Sequence, residues 1–155
     1  MNRELRRLAK ELSLANDEYE RLRLTFGLAC VNRVRQLLED PKVANALAVC
    51  QAFVDGTCDR SALAAAATEV AEAARSHPGS KSIDGSGHAA VSASYAVANA
   101  LAGRAIEAAE YAAYAIVYSY SVHAVTDPSS FDDEYAWQVA ELRRLSYEVA
   151  RDAPG

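Results

Sequence analysis

Gly87-His88-Ala89-Ala90-Val91-Ser92-Ala93-Ser94-Tyr95 opens a stretch that continues in the same style to Tyr118-Ser119-Tyr120-Ser121-Val122-His123. Ala, Ser, Gly, Val, Ile, Leu and Tyr fill nearly all of it. Alanine loses no side-chain entropy in a helix and is the best helix former. Its small side chain also lets neighbouring helices approach closely. Residues 87–123 are therefore predicted as a central helical hairpin or one long broken helix, with the break at Gly103. The rest of the chain is expected to surround this element.

On the N-terminal side, residues 3–14 read as an amphipathic helix, with Leu5, Leu8 and Leu12 on one face. The next helix is expected to start at Asn16 or Asp17 and run to about Glu39. Tyr19, Leu22, Phe26, Cys30, Val34, Leu37 and Leu38 mark its inner face. Asp40-Pro41 is a stop and a restart, with Asp40 as cap and Pro41 in the first turn. The helix that follows closes at Asp55-Gly56. Asp59 or Ser61 opens a fourth, alanine-rich helix to Ser76. Pro, Gly and Ser cluster in 77–86, which reads as a loop. Beyond the central stretch, Asp127-Pro128-Ser129-Ser130 is a turn. A last helix spans 132–152, capped by Ser130 or Asp132, with Tyr135, Trp137, Leu142 and Leu145 inward. The expected fold is all-α: a compact single-domain bundle of six or seven helices, residues 1–155, around an Ala/Tyr-rich pair.

A chain of 155 residues suits one domain. That length buries roughly 68–70% of its unfolded surface, so folding needs no metal or disulfide. The net charge of −5 argues against a general nucleic-acid binder, which would carry a basic stripe. Charge is unevenly spread. Residues 1–42 hold 9 basic and 7 acidic side chains, and the remainder 7 and 14, so a net of +2 is followed by −7. Cys30, Cys50 and Cys58 are odd in number and lack metal-type spacing, which fits free thiols in a reducing cytosol. The charged start, Met1 to Arg7, has no apolar region after it and does not read as a signal peptide. Arg104, Glu107 and Glu110 interrupt the most apolar run, so no membrane span is expected. A cytoplasmic protein without a cofactor follows.

Candidate chemistry is sparse. His88, behind Gly85-Ser86-Gly87, sits where helix amides can bind an anion, although no phosphate-loop lysine follows. His123 is placed at the end of the tyrosine helix, where the dipole favours imidazolium. His88, His123 and Asp127 have metal-ligating side chains but no paired spacing. Tyr111, Tyr114 and Tyr118 share one helical face, and Tyr95 and Tyr120 add to the cluster. These rings fit a partner surface or pocket, or a core face in which they fill space left by alanines; the core is the preferred reading. Asp132, Asp133 and Glu134 suit the positive end of a helix. Trp137 reads as a core anchor. No nucleophile and base can be matched.

Four segments, in order, resemble the small alanine-rich helical bacterial domains labelled immunity proteins of polymorphic toxin systems. They are Phe26-x-x-x-Cys30-x-x-x-Val34-x-x-Leu37-Leu38, Ala52-Phe53-Val54-Asp55-Gly56, Gly87-His88-Ala89-Ala90-Val91, and Glu134-x-x-Trp137-Gln138-x-x-x-Leu142. The likeness spans about residues 26–145. That family tends to carry a second histidine soon after the first, where this chain has Ser94-Tyr95. The resemblance implies a non-catalytic, toxin-neutralising binding protein. Its partner is expected to be a protein, with a basic toxin domain suited to the acidic 127–152 segment, and not nucleic acid or membrane. Binding residues are then sought among His88, Tyr95, Tyr114, Tyr118, His123, Asp132, Asp133, Glu134 and Trp137. A small-molecule site or enzyme lined by Tyr95, Tyr114, Tyr118 and His123 is the alternative, and a homo-oligomeric scaffold a third reading.

Overall fold

A computed structural model describes residues 1–77, 86–121 and 123–152, with the side chains of Ser86 and Asp152 excepted. Seven α-helices and no strand occur among these residues, as expected for an all-α protein. They are α1 (Arg3–Glu11), α2 (Glu20–Asn32), α3 (Pro41–Val54), α4 (Arg60–Arg75), α5 (Ser86–Leu101), α6 (Ala105–Tyr120) and α7 (Asp132–Asp152). The expected loop at 77–86 falls mostly outside the described residues.

Local chemistry sets most boundaries. The Asp40 carboxylate accepts from the Lys42 amide at 2.9 Å, with Pro41 beside it, and the Asp59 carboxylate accepts from the Ala62 amide at 2.8 Å. Each satisfies an amide that the first helical turn leaves without a partner. Gly56 (φ +79°) and Gly103 (φ +76°) adopt the left-handed backbone, which glycine takes without Cβ strain. Gly103 turns the chain from α5 into α6, so the central stretch is a hairpin.

Three boundaries differ from expectation. α1 ends at Glu11, and Ser13 (φ +54°) folds Leu14 back to donate to the Ala9 carbonyl. Asn16 does not cap α2; a 3-10 turn at Asp17–Tyr19 precedes that helix. α2 ends at Asn32, not near Glu39. Val34 (φ −119°, ψ 8°) leaves the helical conformation, a 3-10 turn at Arg35–Leu37 follows, and Leu38 is extended. Val34 nevertheless stays buried, so its apolar spacing is real while the helix is not continuous. Asp40 is held extended by the proline after it, which is incompatible with a helix running through.

The tightest partnership is α5 against α6, and α2 crosses both. The seam is built from alanine: Ala93, Ala96, Ala100, Ala105, Ala108 and Ala112 are all buried. Where α2 crosses α5, a Cβ on Gly27 would lie 3.2 Å from the Ala100 Cβ. Larger residues, among them Phe26, Val31, Val34, Val97 and Leu142, fill the surrounding core. α3 and α4 form a second hairpin against α5, and α7 closes over α1 and α2.

Two polar links, one buried and one partly exposed, fasten α7 to elements distant in sequence. The Asn2 side chain accepts from the Leu5 amide and donates to Gln138 Oε1 at 3.1 Å, while Gln138 Nε2 donates to the Ala109 carbonyl at 2.8 Å. This ties α1, α6 and α7 together, with both side chains out of solvent. The second link joins Arg33 to Glu134. Arg33 Nη2 donates to Glu134 Oε2 at 2.7 Å and Nε to Oε1 at 2.9 Å, a two-pronged ion pair. That hydrogen bond, ahead of any other influence, raises the guanidinium pKa further above its ordinary range.

Candidate functional site

The central rings do not fill the core. Tyr111 is 38% exposed and Tyr114 39% exposed, while Tyr95 and Tyr118 are half-buried. The preferred reading of these rings as core is thereby corrected. The physical reason is the seam. α5 and α6 meet through buried alanine methyl groups, so the space between them is taken without the rings. The rings therefore stand on the outward side of the hairpin.

There they form an ordered row. The His88 ring stacks on Tyr118 (centroids 5.2 Å apart, planes at 26°), and Tyr118 lies 6.3 Å from Tyr114. Tyr114 meets Phe131 edge-on at 5.3 Å, and Phe131 lies 5.4 Å from Tyr135. Tyr95 and Tyr111 stack as a neighbouring pair at 5.4 Å. Edge-on and offset contacts are the favourable ones for aromatic rings. Phe131 is buried and anchors the row over a small apolar cluster with Ala113 and Val117. Burial pushes the Tyr135 phenol pKa up, and nearby Tyr114 and Glu110 push it the same way.

The acidic cluster divides. Asp132 and Asp133, at the start of α7, are exposed and make no ion pair among the described residues. Glu134 is 4% exposed and turned inward to Arg33. It is thus a structural side chain and not a free carboxylate. Ser130 and Asp132 do not provide the expected cap. Asp127 does so for a 3-10 turn at Pro128–Phe131, accepting from the Ser129 amide at 3.0 Å. Trp137 is half-buried against the main core, with the Arg33 guanidinium 4.1 Å over its ring.

His123 does not end α6. That helix stops at Tyr120, and exposed His123 follows an extended Ser121, its amide donating to Ser121 Oγ at 3.0 Å. His88, Tyr95, Tyr114 and Tyr118 are brought to one face; His123 makes no ring contact with them. The four residues proposed to line a core site, Tyr95, Tyr114, Tyr118 and His123, enclose no interior hollow, because two are exposed and two half-exposed. Among the described residues no three His, Cys, Asp or Glu side chains gather in a way that could hold a metal ion, so His88, His123 and Asp127 do not converge. Gly85, part of the suggested anion loop, lies outside the described residues.

Sequence reasoning missed Phe131, Tyr135, Arg33 and Gln138 as members of these networks. Phe131 stands in a polar turn, Tyr135 joins the row through Phe131 four residues before it, and Arg33 and Gln138 find their partners across long sequence separations.

These features define an all-helical body whose most marked surface is an aromatic row flanked by free carboxylates. A family model described as “Imm-5 like putative immunity protein” matches residues 14–145, and the chain belongs to that family. Neither the curated proteins nor the solved structures yield a match. Among the described residues no helix is long and apolar enough to cross a membrane.

Proposed function

We propose that this chain is an immunity protein that neutralises a toxin by binding it directly, without chemistry of its own. The contact face is the row formed by His88, Tyr95, Tyr111, Tyr114 and Tyr118, together with Asp132 and Asp133. One observation supports this most: two tyrosines of that row are more than a third exposed in a fold whose own packing is made by alanine. Tyrosine supplies large contact area at low entropic cost and is enriched among residues that dominate binding energy. The unpaired carboxylates suit a basic toxin surface and speed encounter with it. Family membership supplies the expectation of a protein partner.

The test is association with the product of the neighbouring gene, followed by surface plasmon resonance at several salt concentrations. Tyr114→Ala should weaken binding by about 30-fold, the equivalent of about 2 kcal/mol. Asp132→Lys with Asp133→Lys should slow association about tenfold at low salt and much less at high salt. Unchanged affinity and unchanged rate would remove this face from the interface. Glu134 is left out of the charge reversal, since altering it disturbs the fold through Arg33.

A further inference from the structure

Four of the chain's 16 basic side chains line one hollow. Arg6 and Lys10 of α1, Arg23 of α2 and Arg104 before α6 line a cavity of about 430 Å³, with two carboxylates near them: Glu107 in the lining and Glu110, which is ion-paired with Arg6. Its floor is apolar, made by Ala9, Leu14, Ala105 and Ile106. That volume and that mixture, an apolar floor with a few convergent polar groups, are those of small-molecule sites.

Two of the guanidiniums are set in place beforehand. Arg23 Nη1 donates to the carbonyls of Leu14 and Asn16, both at 2.6 Å. Arg6 Nε donates to Glu110 Oε1 at 3.1 Å. An arginine has five N–H donors, so each keeps several for a ligand and loses less freedom on binding it. Lys10 and Arg104 are exposed and form no ion pair with a described residue. The first turn of α6 lines the same hollow and has no side-chain cap, so its amides and dipole add to the attraction for an anion.

We propose that this hollow binds a small organic phosphate. Lys10 and Arg104 would clasp the dianion, Arg6 and Arg23 would supply further donors, and the carbon body would lie over Leu14 and Ile106. Four cations against Glu107 and the Arg6-paired Glu110 leave a net of +2, half of which a monocarboxylate leaves unmatched, whereas a phosphate monoester offers two charges and three acceptor oxygens. The site is at the opposite end of α6 from Tyr118, so it stands apart from the toxin-binding reading.

The probes are inorganic phosphate, phenyl phosphate and acetate at matched ionic strength, followed through backbone amide signals in two-dimensional NMR. Expected are saturable shifts at Lys10 and Arg104–Glu107 with both phosphates, tighter for phenyl phosphate because of the apolar floor. Acetate should give no saturable shift. Lys10→Gln with Arg104→Gln should weaken phosphate binding at least about tenfold, since each loses a charged donor to the dianion. Shifts that follow ionic strength alone, or equal affinity in the double variant, would overturn the proposal. Should the double variant fail to fold, the single variants decide by the same criterion.

Discussion

The two faces of α6 are built on opposite terms. Its inner face holds Ala105, Ala108, Ala109, Ala112 and Ala115, each no more than 3% exposed, and its outer face holds Tyr111 and Tyr114. A domain core is usually made by interlocking large and small side chains. Here the hairpin brings two backbones together through methyl groups, and the large rings are left on the surface. Tyr95 on Tyr111 and His88 on Tyr118 also join α5 to α6 outside the alanine seam, while the exposed part of Tyr111 and Tyr114 is left for contacts elsewhere. On the binding reading proposed above, fold and binding fall to different residues of one helix.

The comparison is broken most directly by enlarging the inner face. Ala112→Phe should destabilise the protein by about 3 kcal/mol in urea unfolding, through overpacking of a seam without spare room. Gly27→Val should act alike, because even a Cβ there meets Ala100 at 3.2 Å. A loss below about 1 kcal/mol for both would mean that the seam is loosely packed.

Next comes the Arg33–Glu134 pair, which holds the start of α7 beside the outer face. Arg33→Ala should cost about 2–3 kcal/mol, and Glu134→Gln less. The asymmetry follows from burial. Without Arg33, a carboxylate only 4% exposed loses its partner, whereas the Arg33 side chain, 39% exposed, can turn to water. Equal costs, measured by thermal and urea unfolding, would contradict the inward role of Glu134.

The core thiols give a smaller, pH-dependent effect. Burial pushes the Cys50 thiol from its ordinary 9.0 to about 11, and pushes Cys30 well up too, with the nearby Glu134 charge adding to the latter. The folded state therefore holds protons that the unfolded chain gives up above about pH 9. Stability from this source is complete below pH 9 and is lost as pH rises toward 11, by at most about 1.4 kcal/mol per pH unit per thiol. Cys50→Ala should flatten the decline in an unfolding series from pH 8 to 11; an unaltered slope would show that Cys50 is not the group involved. The least effect on stability is expected from the outer face itself: Tyr114→Ala should cost below about 1 kcal/mol by the same urea measurement.

Much of this arrangement is legible in the sequence where the cause is local. Asp40-Pro41, Asp59, Gly56 and Gly103 act through their own backbone neighbours, and each does what its residue type predicts. The end of α2 was not legible, because Val34 and Leu37 keep an apolar rhythm although the chain has passed into a 3-10 turn. The side of α6 on which the rings stand was equally hidden. Tyr111, Tyr114 and Tyr118 share a face by spacing, but both faces of α6 are apolar, and only the neighbouring helix decides which is covered. Arg33 and Glu134 are 101 residues apart, and Asn2 and Gln138 are 136 apart. No pattern along the chain announces such pairings. Glu134 therefore looked like a companion of Asp132 and Asp133 although it points the other way.

The separation of fold from binding is tested most directly by one double variant, Tyr114→Ala with Tyr118→Ala, measured for both melting temperature and affinity for the neighbouring gene's product. The predicted result is a melting temperature within about 4 °C of the parent, the shift expected for a loss near 1 kcal/mol in a chain of this length, together with binding weakened at least about 30-fold. A protein that melts far earlier, or one that still binds as the parent does, would contradict it.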